Sequence, residues 1–526
     1  MGHVYDGVWV VSSLIDDRAE RYPDVVAVST LTEDVTFGQL RDRAQRVAAG
    51  LSDLGIQPGD RVATMLDPGT PYLAAWFGIS WAGAVDVPIN TAYKGTFLEH
   101  VLRESGARVL VVDGRWTGRL ADLDLPELEH VVTVGPPSGW PAVPVHDLDE
   151  LLTLDPTPRV PRTETDLVYI LFTSGTTGPS KGVMHVNRSA LWNAKAWIDI
   201  LELTHDDVAY SMFPLFHVTA RSAVVTSSLW ARGRVALRDG FTLSGFWDDI
   251  RSSGATWFGY MGAVIALLHK QPPRPDDADN ALRVAFGAAA PPDIVDDFQR
   301  RFGFELIEVY GSTELGPATA PRPGRVKRGT MGWPCEHLIT EVHDEHDRPA
   351  PTGVHGEIVC RPAVPYGLFQ GYWARPQETL HAFRNLWFHT GDGGYFDEDG
   401  HLVFTDRIKD SLRRRGENIS SFEVERAVMR HPDVLEAAAY AVPSELTEDE
   451  VMVAVVPQPD REVDVQALFR FCVETMPRFT VPRYLRVVPE LPKTPSQRVQ
   501  KYLLRGQGVT SDALDRETLG IEIPRD

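Results

Sequence analysis

The sequence predicts an α/β protein in which a large N-terminal domain with two parallel-sheet layers precedes a small, mobile α+β C-terminal domain. Short apolar runs rich in β-branched residues alternate with segments of helical periodicity through the first part of the chain, and the same alternation returns from about residue 208. From about Thr330 the pattern changes to short runs broken by Gly, Pro and Asp. The length of 526 residues exceeds what one hydrophobic core usually serves, so two or more domains are expected.

The first series of predicted strands lies near the N-terminus. Its apolar runs are VVAVST near Val25, RVATML from Arg61, AVDVPIN from Ala84, ARVLVVD from Ala107 and HVVTVG from His130. A helix is predicted between the first two runs, because Thr36 and Gln39 have the spacing of a capping box at its start. Its apolar face would hold Leu40, Ala44, Val47, Ala48 and Leu51.

The second series of runs predicts the second sheet layer. Its members are VAYSMFP from Val208, RVALRD from Arg234, ATWFGY from Ala255, LRVAFGA from Leu282 and ELIEVYG from Glu305. Beyond Thr330, stretches such as HDRPAPTGVHGEIVCRP predict a small antiparallel or barrel-like subdomain.

A domain boundary is predicted near Arg407 to Lys409, inside the stretch FTDRIKDSLRRRGENISSFEVE. The residues beyond it are typical of a compact α+β domain, with EAAAYAVPSE and VMVAVVPQP as strands. We therefore expect residues 1–407 to form the N-terminal domain and residues 408–526 to form the C-terminal domain.

Composition excludes several classes of function. Acidic residues outnumber basic ones by 73 to 52, and a net charge of −21 argues against a nucleic-acid or anionic-membrane partner. The three cysteines, Cys335, Cys360 and Cys472, have neither disulfide-framework nor metal-ligand spacing. There is no run of about 18 apolar residues, and the first residues become acidic before a signal-type apolar core is complete. A cytoplasmic protein is expected.

The most informative stretch is YILFTSGTTGPSKGVMH, from Tyr169 to His185, where an apolar strand enters a loop rich in glycine and hydroxyl groups. The loop residues are Thr173, Ser174, Gly175, Thr176, Thr177 and Gly178, followed by Lys181. Glycines let the backbone approach an anion, hydroxyl and N–H groups donate hydrogen bonds, and lysine adds a positive charge. The spacing is not that of a Walker A motif, since Pro179 and Ser180 separate Gly178 from Lys181.

This loop resembles the phosphate loop of the adenylate-forming superfamily, which includes acyl-CoA synthetases, nonribosomal-peptide adenylation domains and luciferases. Further motifs follow in the order and approximate spacing of that superfamily: FPLFHVTA from Phe213, YGSTE from Tyr310, WFHTGD from Trp387, DRIKD from Asp406 and RRRGENIS from Arg413. The resemblance covers nearly the whole chain, and PLFH together with RRRGENISSFEVE is most similar to the crotonobetaine/carnitine-CoA ligase-like branch.

The resemblance implies an ATP site in the N-terminal domain. Gly287, Ala288 and Ala289 would lie beside adenine, on which Tyr310 would stack next to Gly311. Thr313 would bind the α-phosphate. Thr176 and Glu314 would bind Mg²⁺, which prefers oxygen ligands and substrate phosphates. Asp392 would accept both ribose hydroxyls, and Arg407 would support the ribose or the phosphates.

The resemblance also implies an acyl pocket beside the nucleotide. His217 would lie between the two, and the other candidate pocket residues are Thr219, Arg221, Tyr260, Met261 and Gly287. Arg221 leaves two readings open. If it points inward, its guanidinium needs an anionic or polar partner, which would favour a substrate with a second polar group. If it points outward, it carries no information about the substrate.

The C-terminal domain would serve two half-reactions in turn. Lys409 matches the hinge position, and the Arg413 to Asn418 loop with Gly416 would face the acyl-adenylate and the entering thiol. The segment LPKTPSQRVQK departs from the family pattern, because Arg498 stands where the family usually has the lysine that bridges carboxylate and α-phosphate. Three alternatives remain: Arg498 does this work, which we favour; Lys501 or Lys493 takes its place; or adenylation is slow.

The expected function is ATP-dependent activation of a carboxylic acid to its acyl-adenylate, with pyrophosphate release and transfer of the acyl group to coenzyme A. ATP and Mg²⁺ are the expected cofactors, and coenzyme A is the expected co-substrate. The alternatives are an amine or carrier-protein acceptor, activation of nitrite in secondary metabolism, or a silent nucleotide-binding relative. A homodimer fits the sequence as well as a monomer does.

Overall fold

The computed structural model describes residues 9–139, 141–173, 180–407, 412–414, 417–419, 421–443, 449–476, 478–493 and 499–523. The helices of the described chain surround and separate several sheets. They span Val11–Arg21, Phe37–Asp53, Thr70–Trp81, Thr96–Ser105, Leu148–Leu151, Asn187–Leu201, Thr219–Thr226 (a π-helix), Ser227–Ala231, Phe246–Ser253, Gly262–His269, Pro292–Phe302, Pro376–Ala382, Ser421–Val428, Val465–Thr475 and Lys501–Gln507, with short 3-10 helices at Gly114–Leu120, Arg384–Leu386 and Arg478–Thr480.

Two seven-stranded sheets form the N-terminal domain. The first has the strand order Val145–Asp147, His130–Val134, Val109–Asp113, Arg61–Met65, Val85–Pro88, Leu167–Thr173, Lys181–Val186. The second has the order Glu305–Glu308, Val284–Ala288, Trp257–Met261, Val208–Ser211, Arg234–Leu237, Val26–Ser29, Asp34–Thr36. Each sheet is parallel apart from one antiparallel edge strand. The predicted pair of parallel-sheet layers is confirmed.

The first strand of the chain belongs to the second sheet. Val26–Ser29 pairs in parallel with Arg234–Leu237, about 200 residues away. The N-terminal segment therefore belongs to the second sheet before the chain enters the first. The predicted helix follows at Phe37–Asp53 and begins with the expected capping box, in which Gln39 N donates to Thr36 Oγ1 over 3.2 Å and Thr36 N donates to Gln39 Oε1 over 2.9 Å.

The main core lies between the two sheets. It combines apolar side chains of both sheets with those of the helices Phe37–Asp53, Thr70–Trp81 and Asn187–Leu201. Every described side chain of Thr70–Trp81 is buried except that of Pro71. This helix crosses Phe37–Asp53 closely at Gly78, where an added Cβ would lie 2.6 Å from Val47.

Beyond the second sheet the chain forms antiparallel structure, as predicted. A three-stranded sheet contains Tyr310–Ser312, Gly316–Ala320 and Trp333–Pro334. A four-stranded sheet contains Leu338–His343, Gly356–Pro362, Phe388–Phe396 and Leu402–Arg407. In the second of these, Asp392 is the backbone partner of Arg407.

The described C-terminal residues form a hairpin, Leu412–Arg414 with Glu417–Ile419, and a four-stranded sheet of Val434–Pro443, Asp449–Pro457, Tyr484–Val487 and Leu514–Asp515. Arg430 contacts Asp293, and Lys270 contacts Gln458, across the two parts of the chain. The boundary between residues 407 and 408 stays a prediction, because residues 408–411 lie outside the described chain. None of the described helices is long and apolar enough to span a membrane. The three cysteines are free thiols.

Candidate active site

A cavity of about 1210 Å³ opens where the carboxyl ends of the second sheet meet the antiparallel sheets. We call one side the polar wall; its residues are Thr173, Lys181, Ser312, Thr313, Glu314, Glu357, Tyr372, Glu378, Arg384, His389, Thr390 and Asp392. We call the other side the apolar wall; its residues are Trp197, Met212, Phe213, His217, Val218, Thr219, Ser222, Tyr260, Met261, Val264, Phe286, Gly287 and Val309. The two walls belong to one continuous space.

Lys181 and Glu314 lie on either side of Tyr372 on the polar wall. The Tyr372 hydroxyl donates to Glu314 Oε1 over 3.1 Å, and Lys181 Nζ lies 5.2 Å from the centre of the tyrosine ring. Burial, and then the nearby Glu314, raise the pKa of Tyr372, so it remains a hydrogen-bond donor at neutral pH. A cation and a carboxylate are thereby presented together, as binding of a metal-bound polyphosphate requires.

Thr313 is held in place by His185, a residue that sequence reasoning did not single out. His185 Nε2 donates to the Thr313 carbonyl over 2.8 Å, and Ser189 Oγ lies 3.1 Å from Nδ1. Burial lowers the pKa of His185 to about 4, so the ring is neutral at pH 7. The available signal was a polar residue, His185, within the otherwise apolar run that ends the strand Lys181–Val186.

We expect the protein to lose stability as the pH falls from about 6.5 towards 4. Folded His185 and His337 both have pKa values lowered to about 4 by burial, against an ordinary value of 6.5, so the unfolded chain takes up protons that the folded chain resists. Each histidine should remove about 2 kcal/mol at pH 5 relative to pH 7.5. Urea unfolding at the two pH values measures this loss.

His185→Gln should remove about half of this pH-dependent loss, because glutamine can donate to Thr313 and does not titrate. His205→Gln is the matched control, since the His205 side chain is 58% exposed. Equal pH dependence in the two variants would contradict the assignment.

Asp392 reaches the cavity from the strand Phe388–Phe396, where its position is supported by two hydrogen bonds. Its backbone N–H donates to Thr390 Oγ1 over 3.0 Å, and the Tyr310 hydroxyl donates to Asp392 Oδ2 over 2.8 Å. Tyr310 is only 7% exposed and stacks near Phe404, with ring centroids 5.9 Å apart. Tyr310 therefore lies behind Asp392 in this structure, and its stacking on adenine stays a prediction.

Glu357, His389 and Arg384 form a further polar group that sequence reasoning missed. Glu357 Oε1 accepts from the Gly391 N–H over 3.0 Å, and Glu357 Oε2 lies 2.8 Å from His389 Nδ1. Arg384 Nη2 lies 3.4 Å from the same carboxylate. Gly391 has φ +73°, a left-handed conformation that glycine adopts without strain. These contacts fix the irregular part of the strand Phe388–Phe396 that carries Asp392.

The apolar wall contains five of the six predicted pocket residues: His217, Thr219, Tyr260, Met261 and Gly287. The Tyr260 hydroxyl donates to the Ile307 carbonyl over 3.2 Å. A Cβ added at Gly287 would lie 2.3 Å from the Tyr260 carbonyl oxygen, so glycine is required there.

Arg221 is not a pocket residue, and this prediction is wrong. Its side chain is completely buried, with Nη2 donating to Asp86 Oδ2 over 2.6 Å and the guanidinium 3.8 Å from the centre of the Trp76 ring. The Tyr72 hydroxyl is 3.3 Å from Nη1. The side chain points into the protein core and not into the cavity. The anion that a buried guanidinium needs is therefore supplied by the protein, by Asp86.

The remaining residues predicted to bind the nucleotide do not all line the cavity. Gly311 and Ala288 line the cavity, whereas Ala289 is exposed next to it with φ +59°. Arg407 ends its strand opposite Asp392. The following predicted residues lie outside the described chain: Ser174, Gly175, Thr176, Thr177, Gly178, Lys409, Gly416 and Arg498.

The two lysines considered as substitutes for Arg498 have partners in the C-terminal domain. Lys493 Nζ lies 2.5 Å from Glu436 Oε1, and Lys501 Nζ lies 2.8 Å from Glu425 Oε1. Either lysine would have to leave its carboxylate in order to reach a substrate.

Comparison with known proteins agrees with this arrangement. A family model described as AMP-binding enzyme matches residues 15–373, and one described as AMP-binding enzyme C-terminal domain matches residues 423–498. The chain belongs to the AMP-binding enzyme family. The superfamily resemblance inferred from the motifs is thereby confirmed.

Individual relatives of this AMP-binding enzyme span nearly its whole length. The crotonobetaine/carnitine–CoA ligase of Salmonella agona (strain SL483) is 29% identical over 511 residues, covering 93% of this chain and 98% of the relative. The anthranilate CoA ligase AuaEII in complex with anthranoyl-AMP has a TM-score of 0.86 at 24% identity, covering 96% and 98% of the two chains. ATP-bound MatB from Rhodopseudomonas palustris has a TM-score of 0.84 at 26% identity, covering 94% and 98%.

Proposed function

We propose that this AMP-binding enzyme activates a carboxylic acid with ATP, releases pyrophosphate and transfers the acyl group from the acyl-adenylate to coenzyme A. The observation that carries the proposal is the continuity of the polar and apolar walls in one cavity, which suits a nucleotide and an acid bound end to end. The relatives support both half-reactions, since their names include an ATP complex, an acyl-AMP complex and CoA ligases.

The first half-reaction is attack of the acid carboxylate on the α-phosphorus of ATP. Catalysis of such a step is mostly positioning and neutralisation of charge. Lys181 stabilises negative charge on the phosphates, and Thr313 donates from its hydroxyl to the α-phosphate. His217 lies on the apolar wall beside Thr219, where the carboxylate must enter. We assign Arg498 to the reacting carboxylate and α-phosphate.

The residues of the polar wall fit Mg²⁺, because the Glu314 carboxylate faces the cavity and its orientation is fixed by Tyr372. Glu314 would hold the ion, with Thr176 as the second predicted ligand. When bound, the ion neutralises charge on the phosphates. Tyr372, through its hydrogen bond, keeps the carboxylate turned towards them.

Glu314→Gln should raise the half-saturating Mg²⁺ concentration for pyrophosphate release by about 10-fold or more. Glutamine keeps the volume and the acceptor for Tyr372 but removes the charge. Glu378→Gln, which removes a half-buried carboxylate from the cavity rim, should have a smaller effect. An unchanged Mg²⁺ titration in Glu314→Gln would contradict the assignment.

Asp392→Asn should raise the KM for ATP by about 10- to 100-fold, because hydrogen bonds to a charged acceptor are lost. The wild type should also discriminate against 2′-deoxy-ATP and 3′-deoxy-ATP, and the variant should discriminate less. Asp399→Asn is the control, since Asp399 is 63% exposed and outside the cavity. If Asp392→Asn keeps the wild-type preference for ribose, Asp392 does not bind the hydroxyls.

The alternatives to this function are an amine or a carrier protein as the acceptor in place of coenzyme A, or nitrite as the activated oxyanion in place of the acid. The test is pyrophosphate release from Mg-ATP with short, branched, aromatic and dicarboxylic acids, each with and without coenzyme A. Acid-dependent release with thioester formation supports the proposal. Release without a thioester indicates another acceptor, release with nitrite alone indicates nitrite activation, and binding of ATP without release by any acid or by nitrite indicates a silent relative.

A further inference from the structure

Among the described residues that line the cavity, those between residues 197 and 309, which supply the whole apolar wall, include no Asp, Glu, Lys or Arg. This wall is built from the second sheet, from the helices Asn187–Leu201 and Gly262–His269, and from the start of the π-helix Thr219–Thr226. The Asp, Glu, Lys and Arg side chains that line the described cavity all belong to the polar wall. A ligand group that touches the apolar wall therefore meets apolar side chains, the His217 ring and the hydroxyl-bearing side chains of Thr219, Ser222 and Tyr260.

Arg221 is next to this wall in the sequence, but its side chain does not reach the cavity. Arg221 precedes the wall residue Ser222, but its guanidinium points away from the cavity and binds Asp86. Trp76 covers the guanidinium at 3.8 Å, and the side chain is completely buried. A second carboxylate on a substrate would find no counter-charge here.

Two aromatic residues of the wall, Trp197 and Phe286, do not offer open ring faces to an ammonium group. Trp197 and Phe286 pack on each other with centroids 4.2 Å apart, and Trp257 lies 6.0 Å from the same Phe286 ring. Trp197 and Phe286 are 7% and 3% exposed. Cation binding by aromatic side chains needs accessible ring faces, and these faces are largely used within the protein.

We infer that the acid is a monocarboxylate whose tail carries no charge. The tail is aliphatic or aromatic, with at most a neutral hydrogen-bonding group within reach of Thr219 or Ser222. A charged tail would lose its hydration on this wall without gaining a partner. This inference rests on the proposed function. It separates the chain from its crotonobetaine/carnitine relative, since both acids in that name carry a quaternary ammonium group.

Pairs of acids of equal shape test the inference with the whole wild-type enzyme. The first pair is 5,5-dimethylhexanoate and 4-(trimethylammonio)butanoate, which differ only in whether carbon or charged nitrogen bears the methyl groups. The second pair is 4-nitrobenzoate and terephthalate, because a nitro group has the shape of a carboxylate without its net charge. In any pair that supports turnover, the neutral-tailed acid should have a kcat/KM for pyrophosphate release at least about 100-fold higher. A charged member equal to or better than its neutral partner would overturn the inference.

Failure of the proposed function gives a different experimental result from failure of the inference about the tail. If no acid releases pyrophosphate, the proposed function fails, and the tail preference is then read from binding alone. Calorimetry with the two 5′-O-(N-acylsulfamoyl)adenosines that carry the tails of the first pair needs no turnover. Tighter binding of the neutral-tailed compound, by about 100-fold, supports the inference. Equal affinity, or tighter binding of the ammonium compound, overturns it.

Discussion

Replacement of Arg498 by alanine is expected to slow acid-dependent pyrophosphate release by about 10²- to 10³-fold. The variant loses the positive charge that stabilises the carboxylate and α-phosphate as they react. Thioester formation from a chemically prepared acyl-adenylate should stay near the wild-type rate, because that step needs no charge at this point. Rapid-quench measurement of each half-reaction separates the two effects.

Lys493 and Lys501 provide matched controls for this prediction. Each already has a carboxylate partner, Glu436 and Glu425 respectively, so Lys493→Met and Lys501→Met should slow adenylation far less than Arg498→Ala. Arg498→Lys should recover much of the rate, since it restores the charge that the family usually places there. If Lys501→Met or Lys493→Met has the large effect and Arg498→Ala does not, the catalytic cation has been misassigned.

Arg221→Ala or Asp86→Ala should lower the free energy of unfolding by about 3 to 5 kcal/mol, because each leaves an unpaired buried charge. The two side chains are 0% and 1% exposed and join the π-helix Thr219–Thr226 to the first sheet. The double variant Asp86→Leu with Arg221→Met should recover most of the loss, since apolar side chains can fill the same volume. Urea unfolding followed by tryptophan fluorescence measures the differences.

The control for the buried pair is Arg115→Ala. Arg115 pairs with Asp67 and Asp113 at the surface, and its side chain is 57% exposed. Its loss should change the free energy of unfolding by at most about 1 kcal/mol. If the double variant is no more stable than either single variant, the loss in the single variants does not come mainly from an unpaired buried charge.

Local patterns allowed much of the fold to be predicted. The β-branched runs, the spacing of Thr36 and Gln39, and the change of pattern after Thr330 each depend on neighbouring residues, and the structure has the predicted element at each place. The family motifs likewise located Lys181, Glu314 and Asp392 on one cavity, because motif spacing preserves which strand ends carry functional groups.

The errors and omissions concern contacts between distant residues. Asp86 is a single charge within the apolar run AVDVPIN, and Arg221 follows another apolar run, but 135 residues separate them. Their pairing decides whether Arg221 faces the substrate, and only the packing of two sheets sets it. The role of His185 and the pairing of the predicted strand Val26–Ser29 with the second sheet were missed for the same reason, since their partners lie 128 and about 200 residues away.

The most direct test of the central claim is the fate of the acid's own oxygen. With an acid labelled with ¹⁸O in its carboxylate, the enzyme should convert Mg-ATP and coenzyme A to pyrophosphate, a thioester and AMP. Mass spectrometry should find one ¹⁸O in the phosphate of AMP, because the carboxylate oxygen that attacks the α-phosphorus leaves with it. Formation of ADP and phosphate, or of AMP without the label, would contradict an acyl-adenylate intermediate.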